Sequence, residues 1–256
     1  MLSTTEAVIA NRLNFWYGTF HALEDITLNI SANKITSLIG PSGCGKSTFL
    51  KCLNRINERG GNVTIKGLLK VFGEDIYARG VSKESLRREV GMVFQRPNPL
   101  PTSIYENVLF GLKTHRKASS YKKDELDHIV ESSLKTVYLW DQLKDKLQNS
   151  ALNLQLEVQQ KLCLARLLPI KPKLILLDEP CSALDAKGTL AVEELIRELK
   201  SQYTIIIVTH SMSQAKRISD DCIFMFMGKI VESGETANIF SIPRHQQTQN
   251  YIEGKF

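Results

Sequence analysis

From residue 112 to residue 187 the chain has not one glycine, although the full 256 residues hold 15. That excludes a glycine-built turn or phosphate cradle from the whole stretch. Cysteine lacks pattern: Cys44, Cys52, Cys163, Cys181 and Cys222 form no C-x-x-C pair and no Cys/His cluster of zinc spacing, and their number is odd. Reduced thiols are the expectation, not disulfides or structural zinc. Apolar runs such as Leu174-Ile175-Leu176-Leu177 and Ile205-Ile206-Ile207-Val208 fall far short of the roughly 20 residues that cross a bilayer. Met1 to Ala10 has no basic segment leading into an apolar stretch, so no signal peptide is expected and the cytosol is the expected compartment. The formal charge is +6, but Lys and Arg are scattered along amphipathic segments without interleaved aromatics, which argues for a solvated basic surface and against nucleic-acid binding.

What is present is the composition of a globular protein, 43% hydrophobic and 23% charged, enough for one large core or one core with an inserted subdomain. Short β-rich runs alternate with helical patterns, predicting an α/β fold. Ala7 to Tyr17, Ile26 to Ile30 and Val63 to Phe72 predict an antiparallel sheet. Ile35 to Gly40, Val90 to Phe94, Leu174 to Leu177 and Thr204 to Thr209 predict central parallel strands, and Cys222 to Val231 a hairpin turning at Gly228. From about Ser103 to Leu168 the pattern is helical only. In the amphipathic helix after the core, Leu190, Ile196 and Leu199 are expected among the apolar positions.

"GPSGCGKST", Gly40 to Thr48, fits G-x-x-x-x-G-K-[ST] and sits between a predicted strand and a predicted helix beginning near Lys46. Glycines such as Gly40, Gly43 and Gly45 let backbone N–H groups curl round phosphate oxygens, together with those of Ser42, Cys44 and Thr48. Lys46 is expected to reach the β- and γ-phosphates of ATP, and Ser47 to hold Mg²⁺. Cys44 lies at a helix N-terminus, which predicts a lowered thiol pKa and fast alkylation without nucleotide, slow with MgATP; an inert thiol is the alternative. "KLILLDEP" delivers Asp178 to the metal and Glu179 to the attacking water. His210 ends the strand "TIIIVTH" and Gln95 ends "VGMVFQ"; a strand-end His is commonly structural, but beside a phosphate loop both become catalytic candidates, and Gln95 is also a candidate metal contact. Tyr17 in "FWYG" is a candidate to stack on adenine, with Phe15 and Trp16 as alternatives.

Taken together these residues resemble the ATP-binding cassette family over nearly the whole chain. The matches are Tyr17, Gly40 to Thr48, Gln95, Leu174 to Glu179, "SALD" at Ser182 to Asp185, and His210. The resemblance implies a P-loop NTPase cassette: a core over residues 1–95 and 173–256 with an N-terminal antiparallel β part, and a helical subdomain over residues 96–172. Within the family, "MVFQRPNPLPTSIYENVLFGLK", "LLDEPCSALD" and the tail "QTQNYIEGKF" look like the ATPase subunits of bacterial phosphate importers. That implies a peripheral subunit on the cytoplasmic face of the inner membrane, docked on two membrane permease subunits and served indirectly by a periplasmic phosphate-binding protein. It also implies a second cassette closing head to tail over two ATP molecules, a homodimer by expectation and a heterodimer as the alternative. Permease contact is expected on the helical block and on "RPNPLPTSIYENV", stiffened by proline; a mere surface turn is the alternative.

One departure stands out. Where the family carries L-S-G-G-Q, this chain has Leu154-Gln155-Leu156-Glu157-Val158, and the absence of glycine for dozens of residues around it rules out a shifted register. The family's serine hydroxyl and glycine N–H groups bind the γ-phosphate across the dimer; losing two such bonds, at about 1.5–3 kcal/mol each, would weaken closure by roughly 10²- to 10⁴-fold. Glu157 either faces the nucleotide and repels it or simply begins the helix "EVQQKLCLAR"; the second is the expectation. The expected function is an ATPase driving phosphate uptake, and the alternative is a cassette of weak or no activity acting as a regulatory or heterodimeric partner.

Overall fold

The computed structural model of the chain describes residues 6–115 and 120–255; the first five residues of the N-terminal reading and Phe256 of the tail lie outside them. Within the described residues ten strands form two sheets. The first is antiparallel, built from β1 (Glu6–Tyr17), β2 (Phe20–Ser31), β4 (Val63–Val71) and β5 (Glu74–Asp75) in the order β2-β1-β4-β5. The second has six strands: β3 (Ile35–Ile39), β6 (Val90–Val93), β7 (Leu174–Asp178), β8 (Thr204–Val208), β9 (Asp221–Phe226) and β10 (Lys229–Glu235) in the order β10-β9-β3-β8-β7-β6. Its neighbours pair in parallel except for β10, which folds back on β9 as the expected hairpin.

Strand β2 begins six residues earlier than Ile26. Tyr17 pairs directly with Phe20 across a tight turn in which Gly18 takes a φ of +56°, and Asp25 at φ +51° introduces an irregularity that breaks the apolar alternation. In β3, β7 and β8 every residue is buried, as parallel strands covered on both faces require. Alternate side chains divide between two cores. Ile35, Ile175, Leu177, Ile205 and Ile207 pack against the helical residues between β6 and β7, whereas Leu38, Leu174, Leu176, Ile206 and Val208 pack towards the antiparallel sheet.

Among the described residues ten α-helices accompany the sheets: α1 (Lys46–Cys52), α2 (Lys83–Glu89), α3 (Ile104–Thr114), α4 (Lys123–Thr136), α5 (Trp140–Leu143), α6 (Leu156–Ala165), α7 (Ala186–Leu199), α8 (Met212–Ile218), α9 (Thr236–Ser241) and α10 (Gln246–Ile252). Helix α7 starts at an N-cap where the Asp185 carboxylate accepts from the Gly188 N–H at 2.7 Å, and it buries Val192, Leu195, Ile196 and Leu199. Leu190 corrects the expectation, being 54% exposed. It lies about two and a half turns before Leu199, on the opposite face of the helix.

The parallel strands place the site. β3, β8, β7 and β6 lie side by side. Their carboxyl ends lead into Gly40, His210, Asp178-Glu179 and Gln95 respectively, the edge at which open α/β sheets bind ligands.

Candidate functional site

The loop from Gly40 to Gly45 joins β3 to α1 in a shape that only glycine tolerates at two points. At Gly40 (φ +146°) an added Cβ would lie 2.1 Å from the Met225 carbonyl oxygen, and at Gly45 (φ +104°) 2.9 Å from the Leu23 side chain. The loop is therefore clamped between β9 and β2, with its residues Ser42, Gly43, Cys44 and Gly45 lining a cleft of about 180 Å³. Lys46, Ser47, Thr48, Glu179 and His210 complete that lining. Lys46 is almost wholly buried, and its ammonium donates to the carbonyls of Gly40 at 2.7 Å and Pro41 at 2.8 Å.

Cys44 requires a correction. Its thiol is only 4% exposed, and burial pushes its pKa up, against the opposing pull of the Lys46 charge. The expected lowering fails because desolvation of the thiolate outweighs the nearby positive charge.

Ser47 and Asp178 meet directly: the Ser47 hydroxyl donates to Asp178 Oδ1 at 2.7 Å. Asp178 is buried, and its other oxygen is 3.3 Å from Lys51 Nζ. Lys51 escaped the sequence reading because it lies outside the phosphate-loop pattern; its place four residues after Ser47, on the same face of α1, was the available signal. The donor set of hydroxyl and carboxylate oxygens fits Mg²⁺, a hard ion that takes most of its remaining ligands from water and phosphate. The described residues contain no cluster of three or more His, Cys, Asp or Glu that could hold a metal ion.

Glu179, one residue beyond β7, takes a φ of +49°, an unusual conformation for a residue with a side chain. Three contacts hold it there: its N–H donates to the Val208 carbonyl at 3.0 Å, and its own carbonyl accepts from the Ser182 N–H at 3.2 Å and hydroxyl at 3.1 Å. The turn aims the carboxylate back across the sheet edge. There Gln95 Nε2 donates to Oε2 at 2.9 Å, and His210 Nε2 pairs with Oε1. Residues 84 positions upstream and 31 downstream of Glu179 thus grip its two oxygens separately.

Among the aromatics, Phe15 is fully buried and meets Tyr17 edge-on, while the Trp16 ring stacks on His21 with centroids 4.3 Å apart. Phe15 is thereby removed as an adenine platform and Trp16 is already covered. Tyr17, partly exposed at the end of β1, remains, although it does not line the phosphate cleft itself.

At the departed motif, Gln155 is the N-cap of α6 with no side-chain cap bond, and Glu157 lies in the first turn. Glu157 pairs with Lys161 at 2.8 Å and leans on the start of α7, where a Cβ at Gly188 would come within 3.4 Å of its Cγ. It is turned along its own helix, while Leu156 stands half exposed. The loop after Gln95 is fastened at two points. Arg166 donates to the Asn98 carbonyl and side-chain oxygen, both at 2.9 Å, and buried Asn107 accepts from the Leu100 N–H at 2.8 Å.

A family described as ABC transporter matches residues 23–182. The phosphate import ATP-binding protein PstB of Bacteroides fragilis is 49% identical over all 256 residues, covering the whole of both chains, in strain YCH46 as in strain ATCC 25285. Among solved structures, cbiO1 from Clostridium perfringens, part of the ABC transporter complex cbiONQ, superposes with a TM-score of 0.80 at 25% identity over 98% of this chain and 97% of that one. A bacterial Atm1-family ABC exporter with ATP bound gives the same TM-score of 0.80 at 22% identity, covering all of this chain and 42% of the exporter chain, a likeness of fold alone.

Proposed function

The chain belongs to the ABC transporter family, and from that premise we propose that it is the ATP-binding subunit of a phosphate importer, hydrolysing ATP to drive uptake of inorganic phosphate. The transported substrate comes from the relatives, since nothing in the nucleotide cleft would touch the cargo. The hydrolytic half rests on one observation above all, the grip of Gln95 and His210 on the two oxygens of Glu179 beside the Ser47–Asp178 pair.

ATP phosphates lie against the N–H groups of residues 42 to 48, at the start of α1. Lys46 exchanges its bonds to the Gly40 and Pro41 carbonyls for the β- and γ-phosphates, and Tyr17 supports the adenine. Ser47 and Asp178 would hold Mg²⁺, with Gln95 as a further contact, and the bound ion would neutralise charge on the phosphates. Glu179 orients and deprotonates the attacking water, and His210 fixes Glu179 and shares the charge that gathers there. The core of residues 1–95 and 173–256 carries the nucleotide, and residues 96–172 form the helical subdomain.

Two such chains close over two nucleotides and dock on two permease subunits at the cytoplasmic face of the inner membrane, with a periplasmic phosphate-binding protein delivering cargo to the permease. No helix among the described residues is long and apolar enough to cross a membrane, which suits a peripheral subunit. The tethers from Arg166 and Asn107 make the loop after Gln95 a stiff link from nucleotide to permease.

The test is Glu179→Gln in the purified chain. It should abolish turnover, by at least about 10²-fold for loss of a general base, and leave ATP affinity intact. Undiminished hydrolysis would remove Glu179 from the chemistry and the proposal with it.

A further inference from the structure

On the far side of the Glu179–His210 pair lies a second cleft, of about 240 Å³, lined by Cys181, Ser182, Thr209 and Gln214 among others. Behind it runs a buried polar chain that the catalytic reading leaves unused. Glu193, in the middle of α7, is fully buried, a costly place for a carboxylate without partners. Its partners come from α8: Arg217 donates Nε to Oε2 at 2.9 Å and NH2 to Oε1 at 2.7 Å, and Gln214 donates Nε2 to Oε1 at 3.1 Å. The Gln214 side-chain oxygen then accepts from the Thr209 hydroxyl at 2.6 Å, whose oxygen in turn accepts from the Ser211 N–H at 3.0 Å.

The direction of this relay is imposed by its buried end. An ionised carboxylate only accepts, so Gln214 must present its NH₂ to Glu193 and its oxygen to Thr209. The Thr209 proton is then committed to Gln214, which frees the hydroxyl oxygen to accept from Ser211. The two residues bonded in this way are the neighbours of His210 on either side. His210 itself has a half-exposed ring, so its aim at Glu179 depends on the backbone that carries it. Thr209 is tied on its other side by its N–H to the Leu38 carbonyl, at 3.3 Å.

We propose that Glu193 is a positioning residue for ATP hydrolysis, acting through Gln214 and Thr209 to hold His210 on Glu179. The inference rests on the reading of Glu179 and His210 as the hydrolytic pair. Arg217 and Gln214 together compensate the buried charge, and the charge sets the relay's direction. A neutral amide at 193 fits the same space but leaves the direction unspecified.

Glu193→Gln, and Thr209→Val as a milder cut at the far end, should each lower kcat by about ten- to hundredfold, as small misplacements at a catalytic centre do, with KM for ATP within about twofold. Neither should cause further loss in a His210→Ala background. A kcat unchanged in folded Thr209→Val protein, or the same fractional loss with and without His210, overturns the proposal. ¹⁵N-histidine spectra of the full chain, with the His210 signal assigned by His210→Ala, read the relay without turnover. A displaced His210 signal in both variants supports the proposal, and an unmoved one overturns it. Absence of ATPase in the unaltered chain would instead refute the hydrolytic function, leaving the spectra to decide the relay.

Discussion

Rebuilding the phosphate-binding turn that α6 lacks should tighten nucleotide-driven pairing of two chains by orders of magnitude. The perturbation is Gln155→Ser, Leu156→Gly and Glu157→Gly together, in a Glu179→Gln background so that ATP persists. Gln155 already has the extended backbone of an N-cap, φ −62° and ψ +153°, and forms no side-chain cap bond, so serine there should gain about 1 kcal/mol. Two glycines in the first turn cost about 1 kcal/mol each. Losing the partly exposed Glu157–Lys161 pair costs about 0.5 kcal/mol, and losing the acidic group at the helix start a similar amount. Leu156 is half exposed and gives up little burial. The monomer therefore loses about 2 kcal/mol, a fall in Tm of about 4–8 °C for a chain of this size. Against this, a hydroxyl and freed N–H groups facing the γ-phosphate add two charge-assisted bonds, about 3–6 kcal/mol per nucleotide site. Sedimentation equilibrium with ATP should give a dimer dissociation constant lower by at least about 10²-fold than that of Glu179→Gln alone. An unchanged constant in folded protein would mean that this turn never faces a nucleotide.

Three further outcomes follow from the same contacts. Lys51→Met removes the cation beside buried Asp178 and should cost the nucleotide-free chain about 1 kcal/mol or more; calorimetry should find the deficit largely erased by MgATP, whose ion takes over the carboxylate. Cys44 should react slowly with iodoacetamide at neutral pH both with and without MgATP, because burial keeps its thiol protonated; fast labelling of the nucleotide-free chain, measured by mass spectrometry, would contradict this. Burial pushes the Glu232 carboxyl up, but the N–H groups of Arg244 and His245, which donate to its two oxygens at 2.8 and 3.2 Å, outweigh it and hold its pKa below the ordinary 4.5. A lowered folded pKa gives stability that is present above 4.5 and is lost as pH falls through the folded value, so the hydrogen-exchange protection factors of the α10 amides should fall in acid before those of the core, and should already be reduced at neutral pH in Glu232→Gln.

The legible parts of this molecule were those written in contiguous residues. The phosphate loop, the buried strand ending at Asp178 and the strand ending at His210 each carry their chemistry within a dozen positions, so periodicity and spacing suffice to place them. Contacts between distant segments were not legible. Nothing in "AVEELIRELK" distinguishes Glu193, fully buried, from Glu194, exposed beside it, until α8 packs against α7. Lys51 reads as an ordinary helical lysine until β7 brings Asp178 to it. Cys44 misled because a helix start and a lysine are visible in sequence, whereas the burial that overrides them is not. The early start of β2 was hidden by Asp25, whose positive φ interrupts the alternation a strand normally displays.

On this reading the loop from Gly40 to Thr48 holds the phosphates of ATP through its amides and Lys46. Titration of the Lys46→Ala chain with a fluorescent ATP analogue is the decisive measurement. Loss of the charge-assisted bonds predicts affinity weaker by about ten- to hundredfold than in the unaltered chain. Equal affinity in the two proteins would mean that this loop does not hold the phosphates.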